Sequence, residues 1–296
     1  TTTCILVSTH DQYERMARFT VSQIEKQWAN HPVVYVCGLA NPVSQTDLLL
    51  KRDSADWIGI LLDAVNSLLA KGLTLTYLIL DDHPPLGCCR QDILNEVLPA
   101  IMTKLDPVNI SLFGSGQGRE LSGKLVHAED VRLEQLPESE LWRYSLHPGL
   151  WSLEKLKSLL ETLDERLPSL ESRTAWAFER ISGSNRSSRS GSMMTSSYRI
   201  TSPPIVASQS EQAITEVIRT IGHMSRSLAG VIGGRRAWHR TSQYFDWVNH
   251  YYGGPYPMFW RGMFTKGHPN NELITFLTLM GKRKEFDFVF ADATDS

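Results

Sequence analysis

The sequence predicts an α/β fold: a mainly parallel sheet flanked by helices, followed by a more irregular C-terminal part. Three observations predict it. Short apolar runs alternate with amphipathic segments through the first third of the chain, the pattern of strand–helix–strand units. Polar clusters stand directly after three of those runs: Ser8-Thr9-His10-Asp11, Gly38 onward, and Asp81-Asp82-His83. Ligands of such sheets bind at the carboxyl ends of the strands. After Gly114 the alternation breaks down.

Taken in order, Cys4 to Thr9 reads as a strand buried on both faces. Gln12 to Ala29 carries Tyr13, Met16, Phe19, Val21, Ile24 and Trp28 at helical spacing. Val33 to Cys37 is a second strand, closed by Gly38. Ala55 to Ala70 is an amphipathic helix with Trp57, Ile60, Leu61, Ala64, Leu68 and Leu69 near one face, and Ser54 as the expected N-cap. Leu73 to Leu80 is a third strand that runs straight into Asp81-Asp82. Gln91 to Leu105 is helical, and Asn109 to Phe113 a fourth strand. Further on, Lys124 to Leu136 suggests short strands, and Leu153 to Leu163 and Ala175 to Arg180 suggest helices. Gly183 to Ser197, rich in Ser, Gly and Arg, reads as a mobile loop. Glu211 to Val231 is helical in pattern, Trp238 to Phe264 is dense in aromatics and Gly, Asn271 to Met280 is a helix, and Phe286 to Ala291 is a last strand. No internal repeat is present. A soft boundary near residue 150 separates an α/β core, 1–150, from 151–296 within one domain.

The 296 residues, 42% hydrophobic and 21% charged, suffice for a sizeable core. A net charge of -2 excludes nucleic-acid binding as the main task. No run approaches the ~20 apolar residues of a membrane span. Thr1 to Thr3 carry no positive region, so no signal peptide is expected. Cys4 and Cys37 sit in strand-like runs, while Cys88 and Cys89 are adjacent, a poor geometry for a bridge. No Cys-x-x-Cys spacing points to zinc, and the reducing cytosol is the simplest compartment.

Asp81-Asp82-His83 is the strongest chemical signal. Adjacent carboxylates after a buried strand repel unless a cation or hydrogen bonds compensate. A divalent metal bridging a nucleotide diphosphate does so, and carboxylate oxygens suit Mg²⁺ or Mn²⁺. Asp81 and His83 also form an Asp-x-His pair compatible with Mn²⁺. The alternative is that Asp81 caps a turn and Asp82 is solvated, helped by Pro84 and Pro85. Ser8 to Asp11 offers hydroxyls and helix-start N–H groups for an anionic ligand, or simply an N-cap at Thr9 or Asp11. His147-Pro148-Gly149-Leu150-Trp151 reads as a tight turn before a helix, His147 favouring a site and Trp151 the core. Glu179 is a candidate general base, with Trp176 and Phe178 supplying an apolar setting, or else a solvated helix residue. Arg261, Lys266 and His268 either neutralise a diphosphate leaving group or are solvated. Gly114-Ser115-Gly116-Gln117-Gly118 lacks the Gly-x-Gly-x-x-Gly spacing of a dinucleotide site. Glu211 to Val231, with Arg219, Arg226, Arg235 and Arg236 in or after it, is an ordinary packing helix with a basic end or a surface helix for a partner or membrane.

The strand running into Asp81-Asp82 resembles the nucleotide-binding core of GT-A glycosyltransferases. More closely, the chain resembles bacterial glycosyltransferase-like proteins linked to lipopolysaccharide and capsule assembly. The matching pieces are Ser8 to Tyr13, Asp56-Trp57, Leu78 to Asp82, Tyr144 to Trp151, and Trp176-Ala177-Phe178-Glu179, with Lys266-Gly267 beyond them. The acidic motif departs from Asp-x-Asp by its third position, His83. The resemblance implies a GT-A-like fold, with 1–150 binding the nucleotide sugar and 151–296 forming the acceptor side. It implies a hexosyltransferase-like enzyme that moves sugar from a nucleotide-diphospho-sugar donor to a glycan or lipid-linked glycan hydroxyl. Asp81, Asp82 and His83 would hold Mn²⁺ or Mg²⁺, and Ser8, Thr9, His10, Asp11, Asp56 and Asp81 the nucleotide. His147 and Lys266 would face acceptor or diphosphate, and Glu179 and Asp82 would be catalytic. The protein would be cytoplasmic, with peripheral contact at the inner face of the membrane. A non-catalytic scaffold on the same fold is one rival. A nucleotidyltransferase is another, although that class has an early Gly-rich, Lys/Arg-containing loop where this chain has Ser8 to Asp11.

Overall fold

The computed structural model describes residues 2–50, 52–113, 123–128, 131–140, 143–180, 196–201, 250–265 and 268–290, with scattered positions between 217 and 241. Nine strands form one sheet: β1 (Thr3–Ser8), β2 (Val34–Leu39), β3 (Asp47–Leu49), β4 (Leu75–Leu80), β5 (Asn109–Ser111), β6 (Lys124–Ala128), β7 (Val131–Gln135), β8 (Gly149–Ser152) and β9 (Ser197–Ile200). Their order is β3-β2-β1-β4-β8-β5-β9-β7-β6. The first four are mutually parallel. β8 lies antiparallel between β4 and β5. β9 is parallel to β5, and β7 runs against both β9 and β6. Only β7 and β8 oppose the common direction, so the sheet is mostly parallel.

Alternation along β1 sorts its side chains onto two faces. Ile5 and Val7 join Val36, Tyr77 and Ile79 under α1 (Glu14–Gln27) and α3 (Leu98–Leu105), where Ala17, Ile24, Trp28, Ile101 and Met102 cover them. Cys4 and Leu6 join Cys37, Leu78 and Trp151 under α2 (Trp57–Ala70) and α4 (Leu153–Arg166), through Ile58, Leu61, Val65, Leu156 and Leu160. The sheet is thus the middle of three layers. Trp28 is fully buried, edge-on to Tyr77 at 5.0 Å, with Nε1 donating to Asn95 Oδ1 at 2.9 Å. Burying such a ring contributes roughly 2–3 kcal/mol. A third cluster packs Met16 and Phe19 of α1 against Phe276 of α6 (Asn271–Leu279) and Phe286 of α7 (Arg283–Phe290). No helix among the described residues is long and apolar enough to cross a membrane. All four cysteines are free.

Several expectations are corrected. The N-cap of α2 is Asp56, whose Oδ1 accepts the Gly59 N–H at 2.9 Å; Ser54 lies two residues upstream. Residues 286–290 of the stretch expected as a last strand belong to α7, and Ala291 lies outside the described residues. Their Phe-Asp-Phe-Val-Phe alternation imitates a strand, but Phe286 docks edge-on against Phe19 at 4.6 Å and Arg283 pairs with Asp287 at i,i+4. The expected turn at His147 to Trp151 enters β8, a buried central strand with Leu150 and Trp151 on opposite faces. Ser197 opens β9 instead of closing a loop. The Gly114–Gly118 run and residues 183–195 lie outside the described residues.

Candidate active site at the carboxyl edge of the sheet

The chain runs from β1 to β2 on one side and returns to β4 on the other, so strand order reverses between β1 and β4. Crevices at such reversals are where open α/β sheets bind ligands. Ser8 stands opposite Leu80, so Thr9 and Asp81 leave the sheet side by side. Thr9 Oγ1 donates to Asp81 Oδ2 at 2.6 Å. Gly38, at φ +97°, lets β2 pass close: a Cβ there would lie 2.0 Å from the Thr9 carbonyl oxygen. Thr20 of α1 donates its hydroxyl to the Asp81 carbonyl. Burial and then the neighbouring Asp82 charge push the Asp81 carboxyl well above its usual range, outweighing the Thr9 hydrogen bond.

Asp82 is covered by a segment distant in sequence. The hairpin β10 (Tyr251–Tyr252) and β11 (Met258–Phe259) leads into a turn that Asn270 Nδ2 pins by donating to Gly262 O at 2.7 Å. The Met263 N–H donates to Asp82 O at 2.8 Å, and Tyr256 OH to His83 O at 2.8 Å. Gly262 has φ +71°, and a Cβ on it would sit 2.1 Å from Asp82 Oδ2. His83 Nδ1 meets Asp82 Oδ1 at 2.7 Å and Nε2 meets Trp260 O at 3.2 Å. Burial alone would lower the His83 pKa, but the Asp82 charge and hydrogen bond and the Trp260 carbonyl raise it. In its protonated form the ring has one N–H for each acceptor.

A second imidazole converges on the same carbonyl. His147 Nε2 lies 2.8 Å from Trp260 O, and its Nδ1 lies 2.5 Å from Ser145 Oγ. Its ring stacks on Phe113 at 4.9 Å and meets His83 edge-on at 5.6 Å. Burial and then the His83 charge push His147 down to about 4, so it is neutral at neutral pH. Its single N–H serves Trp260 O, and Nδ1 accepts the Ser145 hydroxyl proton. Glu179, the last residue of α5 (Ala175–Glu179), accepts the Leu146 N–H at 2.8 Å through Oε1, which lies 3.3 Å from Ser145 Oγ. Burial raises the Glu179 carboxyl against the pull of Leu146, Ser145 and His83. Ser145, His147, Trp260, His83 and Asp82 therefore form one hydrogen-bonded chain, and Glu179 lies beside its Ser145 end, held by the Leu146 N–H.

The other expected site residues are placed differently. Asp56 is buried, its oxygens taken by the Gly59 N–H, by Arg173 at 2.6 Å and by Arg52 at 3.5 Å. That set makes it a helix cap and ion-pair anchor, with no oxygen turned to a nucleotide. Trp176 is 62% exposed and gives Glu179 no apolar shield; Phe178 is buried between Trp57 and Trp151. Ser8 is buried beside Cys37. His10 Nδ1 accepts the Gln12 N–H at 3.3 Å, and Asp11 opens a 3-10 turn. Arg261 lies over the Trp260 ring at 5.4 Å and pairs with Glu272, and His268 is exposed. Lys266 lies outside the described residues.

For a divalent ion, His83 does not fit, because both ring nitrogens are engaged by protein. Among the described residues no three His, Cys, Asp or Glu side chains gather as a metal set. Asp81 and Asp82 remain, a donor set that suits Mg²⁺ or Mn²⁺ when phosphates and waters complete the shell. The site also contains Thr20, Phe113, Ser145, Tyr256, Trp260 and Gly262, to which the sequence reading assigned no separate role. For Ser145, Tyr256, Trp260 and Gly262 the only signals are the Tyr144 to Trp151 motif and the aromatic and Gly density of 238–264; Thr20 and Phe113 lie in stretches read only as a helix and a strand.

No family model matches the chain, and no curated protein does. Among solved structures, the crystal structure of S. aureus TarS 1-349 is similar at a TM-score of 0.35 and 15% identity, over 84% of this chain and 74% of that one, a likeness too distant to assign an activity.

Proposed function

We propose that the chain is a glycosyltransferase, moving a sugar from a nucleotide-diphosphate donor to a hydroxyl of a bacterial surface glycan. The observation that carries this reading is the Thr9–Asp81 hydrogen bond at the strand-order reversal, with Asp82 partly exposed beside it. The loop Ser8 to Asp11 binds the nucleoside side, Thr9 fixing the Asp81 carboxyl. Asp81 and Asp82 would hold Mn²⁺ or Mg²⁺, and the ion would supply positive charge to a diphosphate leaving group. His83 fixes the Asp82 rotamer. The acceptor oxygen attacks the anomeric carbon; the new glycosidic bond forms as the bond to the phosphate oxygen breaks, and the nucleoside diphosphate leaves. Glu179 receives the acceptor proton: its raised pKa brings it toward working pH, and no hydrogen bond to Oε2 is present among the described residues. His147, neutral and wedged between Phe113 and Trp260, lines the acceptor side, and Lys266 is assigned to the diphosphate. The protein works on the cytoplasmic side.

Calorimetric titration with UDP-, GDP-, CMP- and dTDP-sugars tests the reading, with Mn²⁺ and then EDTA, on the wild type and Asp82→Ala. Micromolar binding of one donor that needs both metal and Asp82 supports it and names the donor class. Binding that survives EDTA keeps the nucleotide site and removes the metal. Absence of binding by every donor sinks the proposal in favour of a scaffold role.

A further inference from the structure

The short helix that ends in Glu179 sorts its side chains to two sides. Phe178 points inward, its ring 6.0 Å from Trp57 and 5.8 Å from Trp151. At 3.6 residues per turn Trp176 falls on the other side, sharing an arc of about 100° with Glu179 and Arg180. Trp176 is 62% exposed. Among the described residues it is the one exposed tryptophan, since Trp28, Trp57, Trp151 and Trp260 are buried or half-buried. A covered indole buries about 150–250 Å², so on the order of 100 Å² of aromatic surface faces solvent here. That surface stands one turn, about 4.5 Å along the helix axis, from the candidate base. Its support is rigid: the Thr174 hydroxyl oxygen accepts the Ala177 N–H, and Glu179 Oε1 accepts the Leu146 N–H at 2.8 Å.

We propose that Trp176 is the platform for a pyranose ring of the acceptor, beside the hydroxyl that Glu179 deprotonates. The assignment rests on the sugar-transfer reading, with Glu179 as the base. A pyranose has an apolar C–H face and a rim of hydroxyls. The face covers the indole, and the rim meets the Glu179 carboxylate and the exposed Arg180 guanidinium. A polyol-phosphate chain has no flat apolar face; it would leave the indole wet and bring phosphate against the Glu179 carboxylate. A protein partner would have to bury the Glu179 and Arg180 charges at the edge of the ring, which is costly without paired groups. Trp176 is therefore a specificity residue that selects a ring sugar over an open-chain acceptor.

Nuclear magnetic resonance of the full chain tests it, without donor, metal or turnover. The Trp176 Nε1–H signal is assigned by its loss in Trp176→Phe. The probes are hexose and N-acetylhexosamine oligosaccharides, with glycerol-phosphate and ribitol-phosphate oligomers as the open-chain set. A pyranose oligosaccharide shifts the Trp176 signal saturably, and the open-chain set leaves it in place. Followed by saturation transfer to the sugar, Trp176→Ala weakens binding at least about tenfold, while Trp176→Phe stays within about threefold. The side chain is exposed, so thermal melting curves of both variants match the wild type. The proposal is overturned if no pyranose probe moves the signal, if Trp176→Ala binds as well as the wild type, or if the open-chain probes move it equally. A signal that shifts with protein concentration alone would assign the ring to a second copy and also overturn it. Donor binding in calorimetry without a saccharide shift removes only the Trp176 assignment. A saccharide shift without donor binding keeps the platform and sinks the transfer reading.

Discussion

Replacing Gly262 by alanine probes how the C-terminal turn holds the acidic motif. At φ +71° an alanine carries left-handed strain of roughly 1–2 kcal/mol. Its Cβ would lie 2.1 Å from Asp82 Oδ2, so the carboxylate must rotate away and release His83 Nδ1, now at 2.7 Å. A hydrogen bond between charged groups contributes about 1.5–3 kcal/mol, toward the low end here because the Asp82 side chain is 21% exposed. Restricting the unfolded chain returns about 0.5 kcal/mol. The expected destabilisation is therefore about 2–3 kcal/mol, read from urea denaturation. The diagnostic measurement is the cycle with Asp82→Ala. Once the carboxylate is gone the clash is gone, so Gly262→Ala should then cost only its backbone strain. The two substitutions should couple by about 1.5 kcal/mol. Additivity within about 0.5 kcal/mol would refute the claim that Gly262 is needed for the seat of Asp82.

Further outcomes follow from the same geometry. Burial pushes the Asp56 carboxyl up, but the Arg173 hydrogen bond, the Gly59 N–H and the charges of Arg173 and Arg52 outweigh it and hold it below its usual range. Its stabilisation is complete above the ordinary carboxylate pKa of about 3.9 and disappears as pH falls through the lowered folded value. Asp56→Asn should therefore cost about 2–3 kcal/mol at neutral pH, with the gap to wild type closing in acid; a gap that stays constant across that window contradicts the ion pair. Glu134 Oε2 and Arg199 Nε meet at 2.6 Å, directly opposite on β7 and β9, with side chains 0% and 9% exposed. Arg199→Met should cost about 3–5 kcal/mol, while the double change with Glu134→Leu should be close to neutral in chemical denaturation; a single variant as stable as wild type would contradict this. Glu179→Gln should reduce turnover about 10²–10⁴-fold with nucleotide affinity unchanged, and undiminished turnover removes Glu179 from the mechanism.

The first half of the sheet was legible because its signals are local. Continuous apolar runs such as Cys4 to Val7 and Leu75 to Ile79 need no distant partner to be recognised as strands buried on both faces, and the polar residues that end them mark the ligand edge. The sequence accordingly places Asp81-Asp82 and the Ser8 loop at that edge, and the structure sets the two side by side because β1 and β4 are parallel neighbours that end together. Asp56 was misread because an N-cap and a ligand contact use the same residue type; Arg173, which takes its carboxylate, is 117 residues away. Phe286 was misread because a short Phe-rich alternation is compatible with either period, and packing against Phe19 decides between them.

By itself the sequence determined the α/β class, the strands β1, β2, β4 and β5 of a mostly parallel sheet, the carboxylate pair and the edge at which it stands; it gave no sign of β3. These follow from hydrophobic periodicity and from the chain geometry of strand–helix–strand units. Tertiary structure alone decided that β8 enters antiparallel between β4 and β5, that Trp260 offers one carbonyl to both His83 and His147, and that Gly262 seats Asp82. It also left Val217, Ile221, Met224, Leu228, Val231 and Ile232 exposed. Each of these depends on contacts between segments far apart in the chain or on which side of a helix is covered, and local residue pattern contains no term for either.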